Sequence, residues 1–398
     1  MKASVAPLHS TSMMRASVLR DVARMEVCDV PRPVAGPRDV LVRVMAVGLC
    51  GTDFHIFAGH ANYHTDGRGR TVPFDEHPQI LGHEVVGVVE DVGAEVEDLR
   101  AGNAVVLDQG LNCHSQARNE ACEYCKTGDS HQCQYYGEHG ITGLPGGLAD
   151  YIAIPAVNAV RIDTELNHSE AALTEPLGCI VHSSDAVQRA HARYAVNAED
   201  TARRVRSILI CGGGPAGLLF VQYLRVVLGY DGRLLVSEPN QRKRELISQF
   251  GAETIDPKAV DLVDAVQEMT RGRRIEYFID AAGAAGVFTQ LPGLLRKQAT
   301  VLLYGHGHTG VDLGVMNNIQ FMEPTLVAPV GASGGFDTDG RPSTYRRALR
   351  LIEDGNINVR SMITHHYQSL EQVPDAFANS DHRQSDYVKG VFAIQWQS

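Results

Sequence analysis

Cys50, His83 and Glu175 offer a thiolate, an imidazole and a carboxylate, each in a local setting suited to holding a metal. Cys50 falls in Gly48-Leu49-Cys50-Gly51-Thr52-Asp53, His83 in Gly82-His83-Glu84, and Glu175 in Thr174-Glu175-Pro176-Leu177-Gly178. Three protein ligands of these types make a catalytic zinc set that keeps a fourth position open for substrate. Glu84 is a second carboxylate beside His83, either an exchangeable ligand or a group behind the ligands. Taken singly, His83 reads as a buried histidine and Cys50 as a core cysteine. The joint reading as a metal set rests on a glycine-rich loop further along the chain.

Gly212-Gly213-Gly214-Pro215-Ala216-Gly217 fits G-x-G-x-x-G, with an apolar strand before it and a helix after it. Gly212 permits the tight turn, Gly214 admits a pyrophosphate to the backbone, and Gly217 lets helix and strand pack closely. Pro215 and Ala216 lie in the same turn, where the helix N-terminus offers unpaired N–H groups to phosphate. Glu238 follows Gly217 by 21 residues. A carboxylate there accepts hydrogen bonds from the adenosine ribose and repels a 2′-phosphate, which favours NAD. Arg242, with Lys243 and Arg244, keeps NADP as the alternative. A metal that polarises an oxygen, beside a hydride acceptor, points to alcohol oxidation.

A second set of thiols needs a different explanation. Cys122, Cys125 and Cys133 are spaced C-x2-C-x7-C, and Cys113 precedes them by nine residues. Four thiolates in one polar loop suit a closed tetrahedral structural zinc. The long gap after Cys113 leaves His114 or Asn119 as alternatives for the first ligand. Cys28, Cys179 and Cys211 read as small buried apolar residues.

The elements that must position these groups change character along the chain. Residues 15 to about 110 are β-rich: Val40–Val47 alternates partly, and Val85–Gly93 is a β-branched run broken by glycine. The stretch from His55 to Pro78 is polar and rich in His and Gly, and reads as a loop in which His60, His64 and His77 are solvated. After about residue 180 short apolar strands alternate with helical patterns: 208–211, 234–236, 275–279 and 301–304 as strands, 216–228 and 242–250 as helices. That alternation predicts a doubly wound parallel sheet, so the chain as a whole is α/β.

Composition excludes several classes. The chain has 398 residues, 44% of them hydrophobic, with 39 glycines, which suits a multi-domain enzyme with a sizeable core. A net charge of −11 argues against a nucleic-acid partner. No apolar run reaches the roughly 18 residues of a membrane span. Residues 1–14 lack an apolar signal core and read as a disordered extension. Clustered cysteines without a secretory signal point to metal ligation in a reducing cytoplasm.

Together these motifs resemble the zinc-dependent medium-chain dehydrogenases, in the branch of polyol (sorbitol-like), sugar and threonine dehydrogenases. The likeness runs from Met14 to the C-terminus. It is carried by residues 48–55, by Gly82–Gly87, by Glu175-Pro176-Leu177, and by Ile363-Thr364-His365 with 370–377. It implies a GroES-like β-rich catalytic domain over 15–180 and 333–398, with a structural zinc lobe at about 108–136. A Rossmann domain is implied over 181–332. The resemblance also implies that Cys113 is the first structural ligand, with His114–Asn119 inserted after it. Thr52 stands where resembling enzymes relay a proton by a hydroxyl, and His55 stands at the outer relay position. Asn103 replaces a usual aspartate, and the stretch between Cys50 and His83 is long, with residues 62–76 implied near the active-site mouth. The implied activity is hydride transfer from a secondary hydroxyl of a polyol, cyclitol or sugar-like molecule to NAD. A threonine or amino-alcohol dehydrogenase is the alternative, and a non-catalytic cofactor-binding protein the remote one. A dimer or tetramer is implied.

Overall fold

The computed structural model describes residues 12–394 and 396, apart from 309 and 333. The expected extension over 1–14 lies largely outside the described residues, but Met13 and Met14 open the strand Met13–Asp21. That strand pairs antiparallel with Arg24–Pro31, with Met13 opposite Pro31.

The chain divides into two compact units. The first takes Met1–Glu175, Ser333–Glu353 and Ile363–Ser398; the second takes Pro176–Ala332 and Asp354–Met362. The first unit is built on a seven-stranded sheet. Its path runs Ala159–Arg161, Ala104–Leu107, Glu84–Val92, Asp39–Leu49, Lys389–Ala393 and Ile363–Tyr367, with Tyr151–Pro155 also on Asp39–Leu49. Asp39–Leu49 is the organising strand. It pairs antiparallel with Glu84–Val92 on one side and with Lys389–Ala393 on the other. Val40, Val42, Val44 and Val47 are fully buried in the core, because a strand covered on both edges and one face is kept by β-branched residues. Gly48 stands opposite Glu84 in this ladder, so Cys50 and Glu84 begin close together.

The second unit is a six-stranded, wholly parallel sheet. Numbered by their order along the chain, its strands lie in the spatial sequence 3-2-1-4-5-6. That is the doubly wound order, with its switch point between the strands Ser207–Cys211 and Ile275–Asp280. All five residues of Ser207–Cys211 and all six of Ile275–Asp280 are buried, as a sheet with helices on both faces requires. The helix expected over 216–228 is α-helical at Pro215–Gln222 and continues as one π-helical turn, Tyr223–Val227.

Candidate active site

The helix Gly51–Phe57 runs into the stretch whose composition reads as a loop from His55 onward, and its N-cap is Cys50. Asp53 makes the turn. Its Oδ2 accepts the Cys50 backbone N–H at 2.9 Å, a reciprocal cap built on Asp53. Its Oδ1 accepts the Gly82 N–H at 3.2 Å and lies 3.3 Å from His83 Nδ1. One fully buried carboxylate thus caps Cys50 and stands beside His83, 33 residues away in sequence, whose Nδ1 makes no hydrogen bond among the described residues. Gly82 meets this geometry with φ +90°, a left-handed conformation that favours glycine. Burial alone would lower the His83 pKa, but Asp53 and Cys50 outweigh it and hold the imidazole well above its usual range.

The ligand atoms of Cys50, His83 and Glu84 all lie within 4.8 Å of one another. Glu175 stands outside that trio. It sits in the first turn of the helix Thr174–Arg189, and its Oε1 accepts the Gln109 side-chain N–H at 3.0 Å. Gln109 also donates to Glu138 at 3.1 Å, and Tyr345 OH donates to Gln109 Oε1. Glu84 is fully buried, and its Oε1 meets Lys389 Nζ at 2.5 Å. Burial would lower the Lys389 pKa, yet the Glu84 and Cys50 charges hold it raised. A Cβ at residue 48 would lie 1.9 Å from Glu84 Oε2, so glycine there makes the space for the carboxylate. That Oε2 is buried without a hydrogen-bond partner among the described residues. An orphaned carboxylate oxygen beside a thiol and an imidazole fits a bound cation.

More carboxyls line this region. Glu138 is pushed up to about 7, first by burial, with the nearby Glu175 charge adding to it. Asp108 is pushed up to about 8, again first by burial. Tyr63, on the long segment between Cys50 and His83, has its phenol raised by burial and then by the Glu138 and Cys50 charges. That segment is held in place: Phe74 is buried in the core, and Asn62 Nδ2 donates to Val72 O at 2.9 Å. Thr52 Oγ1 lies 3.7 Å from Cys50 Sγ, while His55 is exposed with its ring 5.9 Å from that of His60.

Cys113, Cys122, Cys125 and Cys133 converge, all buried and all within 4.8 Å sulfur to sulfur. The Cys113–Cys133 and Cys122–Cys133 separations are 3.6 and 3.9 Å. Four sulfurs about 2.3 Å from a tetrahedral zinc stand about 3.8 Å apart, so the donor set fits the ion. Backbone amides of Cys122 and Tyr135 donate to Cys113 and Cys133 Sγ at 3.3 and 3.4 Å. A backbone hydrogen bond from Cys125 draws the Cys122 thiol down to about 6, towards the thiolate. Cys113 completes the set of four cysteines, and His114 is not among the clustered residues.

In the second unit the glycine loop sits at the switch point. Gly212 has φ +104°, and a Cβ there would come within 3.0 Å of the Ala281 backbone. A Cβ on Gly217 would lie 2.0 Å from Gly212 O, so the helix packs directly on the turn, while Gly214 faces open space. That opening in front of a helix N-terminus fits a dinucleotide pyrophosphate. Pro215 and Ala216 open the helix. Both Glu238 carboxylate oxygens already accept backbone N–H groups, from Gly213 at 2.7 Å and Asn240 at 2.8 Å. Arg242 is exposed, whereas Arg244 donates to Glu238 O and pairs with Asp256. Buried Asp280 accepts the Ala282 and Gly283 amides and meets His308 Nε2 at 2.7 Å. Asp53, Gln109, Glu138, Lys389, Asp280 and His308 do not stand out in the sequence. Only Asp53 carries a local signal, three residues after Cys50 at a capping-box spacing.

A family model described as an alcohol dehydrogenase GroES-like domain matches residues 36–164, and one described as a zinc-binding dehydrogenase matches residues 215–354. L-Threonine 3-dehydrogenase of Pyrococcus abyssi is 30% identical over 360 residues, covering 89% of this chain and 91% of that protein. Sorbitol dehydrogenase of Arabidopsis thaliana is 28% identical over 369 residues, covering 91% and 90%. A zinc-binding dehydrogenase from Sinorhizobium meliloti 1021, solved bound to NADP, is 29% identical with a TM-score of 0.77. It covers 96% of this chain and all of its own.

Proposed function

The chain belongs to the zinc-binding, GroES-like alcohol dehydrogenase family, and from that premise we propose that it oxidises a secondary hydroxyl of a polyol, cyclitol or sugar-like molecule with NAD. The observation that carries the proposal is the trio Cys50, His83 and Glu84 beside the carboxyls of Glu175 and Glu138. When bound, zinc would supply the charge that acidifies a substrate hydroxyl, and the nicotinamide would accept the hydride.

The chain's own residues would do the rest. Cys50, His83 and Glu84 would hold the metal, with Asp53 orienting the imidazole and Lys389 balancing Glu84. Glu175 is the alternative carboxylate ligand, and otherwise an acceptor for the further hydroxyls of a polyol. Thr52 would relay the substrate's proton, its hydroxyl accepting that proton as it gives up its own, and His55 would stand at the outer position of the relay and pass a proton to water. Gly212, Gly214, Pro215, Ala216 and Gly217 would cradle the pyrophosphate. Glu238 would accept the ribose hydroxyls on its remaining lone pairs, and its charge disfavours a 2′-phosphate. NADP remains the alternative through Arg242. Cys113, Cys122, Cys125 and Cys133 would hold the structural zinc.

A second reading, an amino-alcohol dehydrogenase, is favoured by the 30% identity to L-threonine 3-dehydrogenase. An ammonium would suit the same carboxylate-rich surroundings. The cytoplasm and a homo-oligomer complete the proposal. Thr325–Val327 is an edge strand, with Phe321 and Leu326 exposed beside it, which supports self-association. The deciding experiment measures NAD and NADP reduction by zinc-loaded protein over polyols, cyclitols, sugars and β-hydroxy amino acids. Turnover of a polyol-class compound with NAD is expected. Turnover of β-hydroxy amino acids alone would overturn the first reading and establish the second.

A further inference from the structure

The second unit has two adjoining cavities that the nucleotide crevice does not use. One, of about 340 Å³, is mainly apolar and is lined by Val187, Tyr194, Val196, Val205, Leu228 and Tyr277. The other, of about 550 Å³, is lined by His191, Arg193 and Arg203 with Gln298 and Glu323. Ala192 lines both. Their shared wall comes from the connection between the helix Thr174–Arg189 and the strand Ser207–Cys211.

Three features mark this place as a ligand site. First, the apolar cavity is walled by Val187, Val196, Val205 and Leu228 with the rings of Tyr194 and Tyr277, a lining that an apolar ligand body would complete. Second, the cations of the adjoining wall stand out in a chain of net charge −11. Arg193 is exposed, and its guanidinium donates to Gln298 Oε1 over a long 3.4 Å. Third, Gln298 at φ +60° and Glu323 at φ +47° hold left-handed conformations, strain of a kind that concentrates at ligand sites. Glu323 is the opposing charge in this wall, and Gln298 Nε2 donates to it at 3.1 Å.

Position separates this site from the cofactor. Val205 lies just ahead of the first strand, and Tyr277 and Thr300 are neighbours in register within the amino-terminal part of the sheet. The glycine loop lies at the opposite, carboxyl end of the strands.

We propose that the second unit carries a further small-molecule site at the amino-terminal edge of its sheet, which takes an organic anion with an apolar body. The apolar part fills the cavity under Tyr277 and Thr300, and the anionic end meets Arg193 and Arg203. A volume of about 340 Å³ sits at the small end of ligand pockets and suits a chain of about eight carbons.

The test is calorimetric titration of the zinc-loaded full chain, saturated with nicotinamide cofactor, using octanoate and its neutral analogue octanamide. One saturable octanoate site is expected, with octanamide weaker by about ten-fold, the scale of one charge-assisted contact. Arg193→Glu should weaken octanoate by at least that factor and leave octanamide unchanged. Ala192→Phe, which fills the junction, should remove both, with the melting temperature reporting that each variant is folded. Absence of saturable binding, or its loss on cofactor saturation, overturns the proposal. So does octanoate binding that is indifferent to both substitutions, as binding at Cys50, His83 and Glu84 would be.

Discussion

Replacing Lys389 with methionine isolates the buried charge that faces Glu84. Nζ and Oε1 are 2.5 Å apart, and both side chains are withdrawn from water. At an effective dielectric of about 20, a pair at that distance attracts by about 7 kcal/mol. Desolvation offsets part of that, and deleting one partner of a buried pair costs about 3–5 kcal/mol. For a unit of this size the loss corresponds to roughly 10 °C in melting temperature. The cost should appear in full only in metal-stripped protein. With zinc restored, the cation itself faces Glu84, so the variant should recover several degrees more than the wild type does. By linkage, the variant should also bind zinc more tightly. Adding Glu84→Gln to Lys389→Met should return most of the stripped protein's stability, because no uncompensated charge is left. Scanning calorimetry on stripped and reloaded samples of both proteins gives all the terms, and stripping the four-cysteine lobe cancels between them. A loss below about 1 kcal/mol in stripped protein, or equal losses in both states, would refute the reasoning.

The geometry dictates three more outcomes. Asp53→Asn should weaken zinc at the Cys50 trio by about 10–100-fold, since a neutral amide raises the basicity of the His83 ring less than a carboxylate does; chelator competition measures this. Cys125→Ser should lower the zinc content by one equivalent and open the lobe to protease, whereas Cys50→Ser should lose the other equivalent and all activity while melting near the wild-type temperature. Asp108 is raised to about 8 while the unfolded chain titrates near the ordinary carboxyl value of about 4. The folded chain therefore holds more protons between those limits, and stability falls as pH rises through them. Asp108→Asn, which can still accept the Gly110 N–H, should melt like the wild type near the lower limit and progressively above it towards the upper one.

Local motifs were legible because their chemistry is contiguous. The glycine loop needs a strand, a turn and a helix in succession, and Ile208 to Leu228 spells out all three. The four cysteines lie within 21 residues, and their sulfurs meet across one lobe. What sequence could not supply was the set of partners brought in from far away. Gln109 reaches Glu175 across 66 residues, and Lys389 reaches Glu84 across 305. No spacing rule relates such pairs; the sheet's strand order does. The start of the helix Gly51–Phe57 was hidden for a different reason. Its cap is a cysteine, and the usual serine or threonine signal is missing. Glu238 shows the converse: the residue was conspicuous, but its grip on Gly213 and Asn240 depends on the folded loop.

The place of Lys389–Ala393 between Asp39–Leu49 and Ile363–Tyr367 has a bearing on biosynthesis. Glu84 leaves the ribosome 305 residues ahead of its counter-ion. At about 5–20 residues per second that is a wait of roughly 15–60 seconds. Through that interval Asp39–Leu49 has an open edge over Ala46 to Leu49, where Lys389–Ala393 will insert. A nascent chain stalled ahead of Lys389 would own Cys50, His83 and Glu84 but lack the charge that balances Glu84. Pairing of Glu84 is thereby tied to synthesis of the strand Lys389–Ala393, and a chain cut ahead of that strand would be a substrate for quality control.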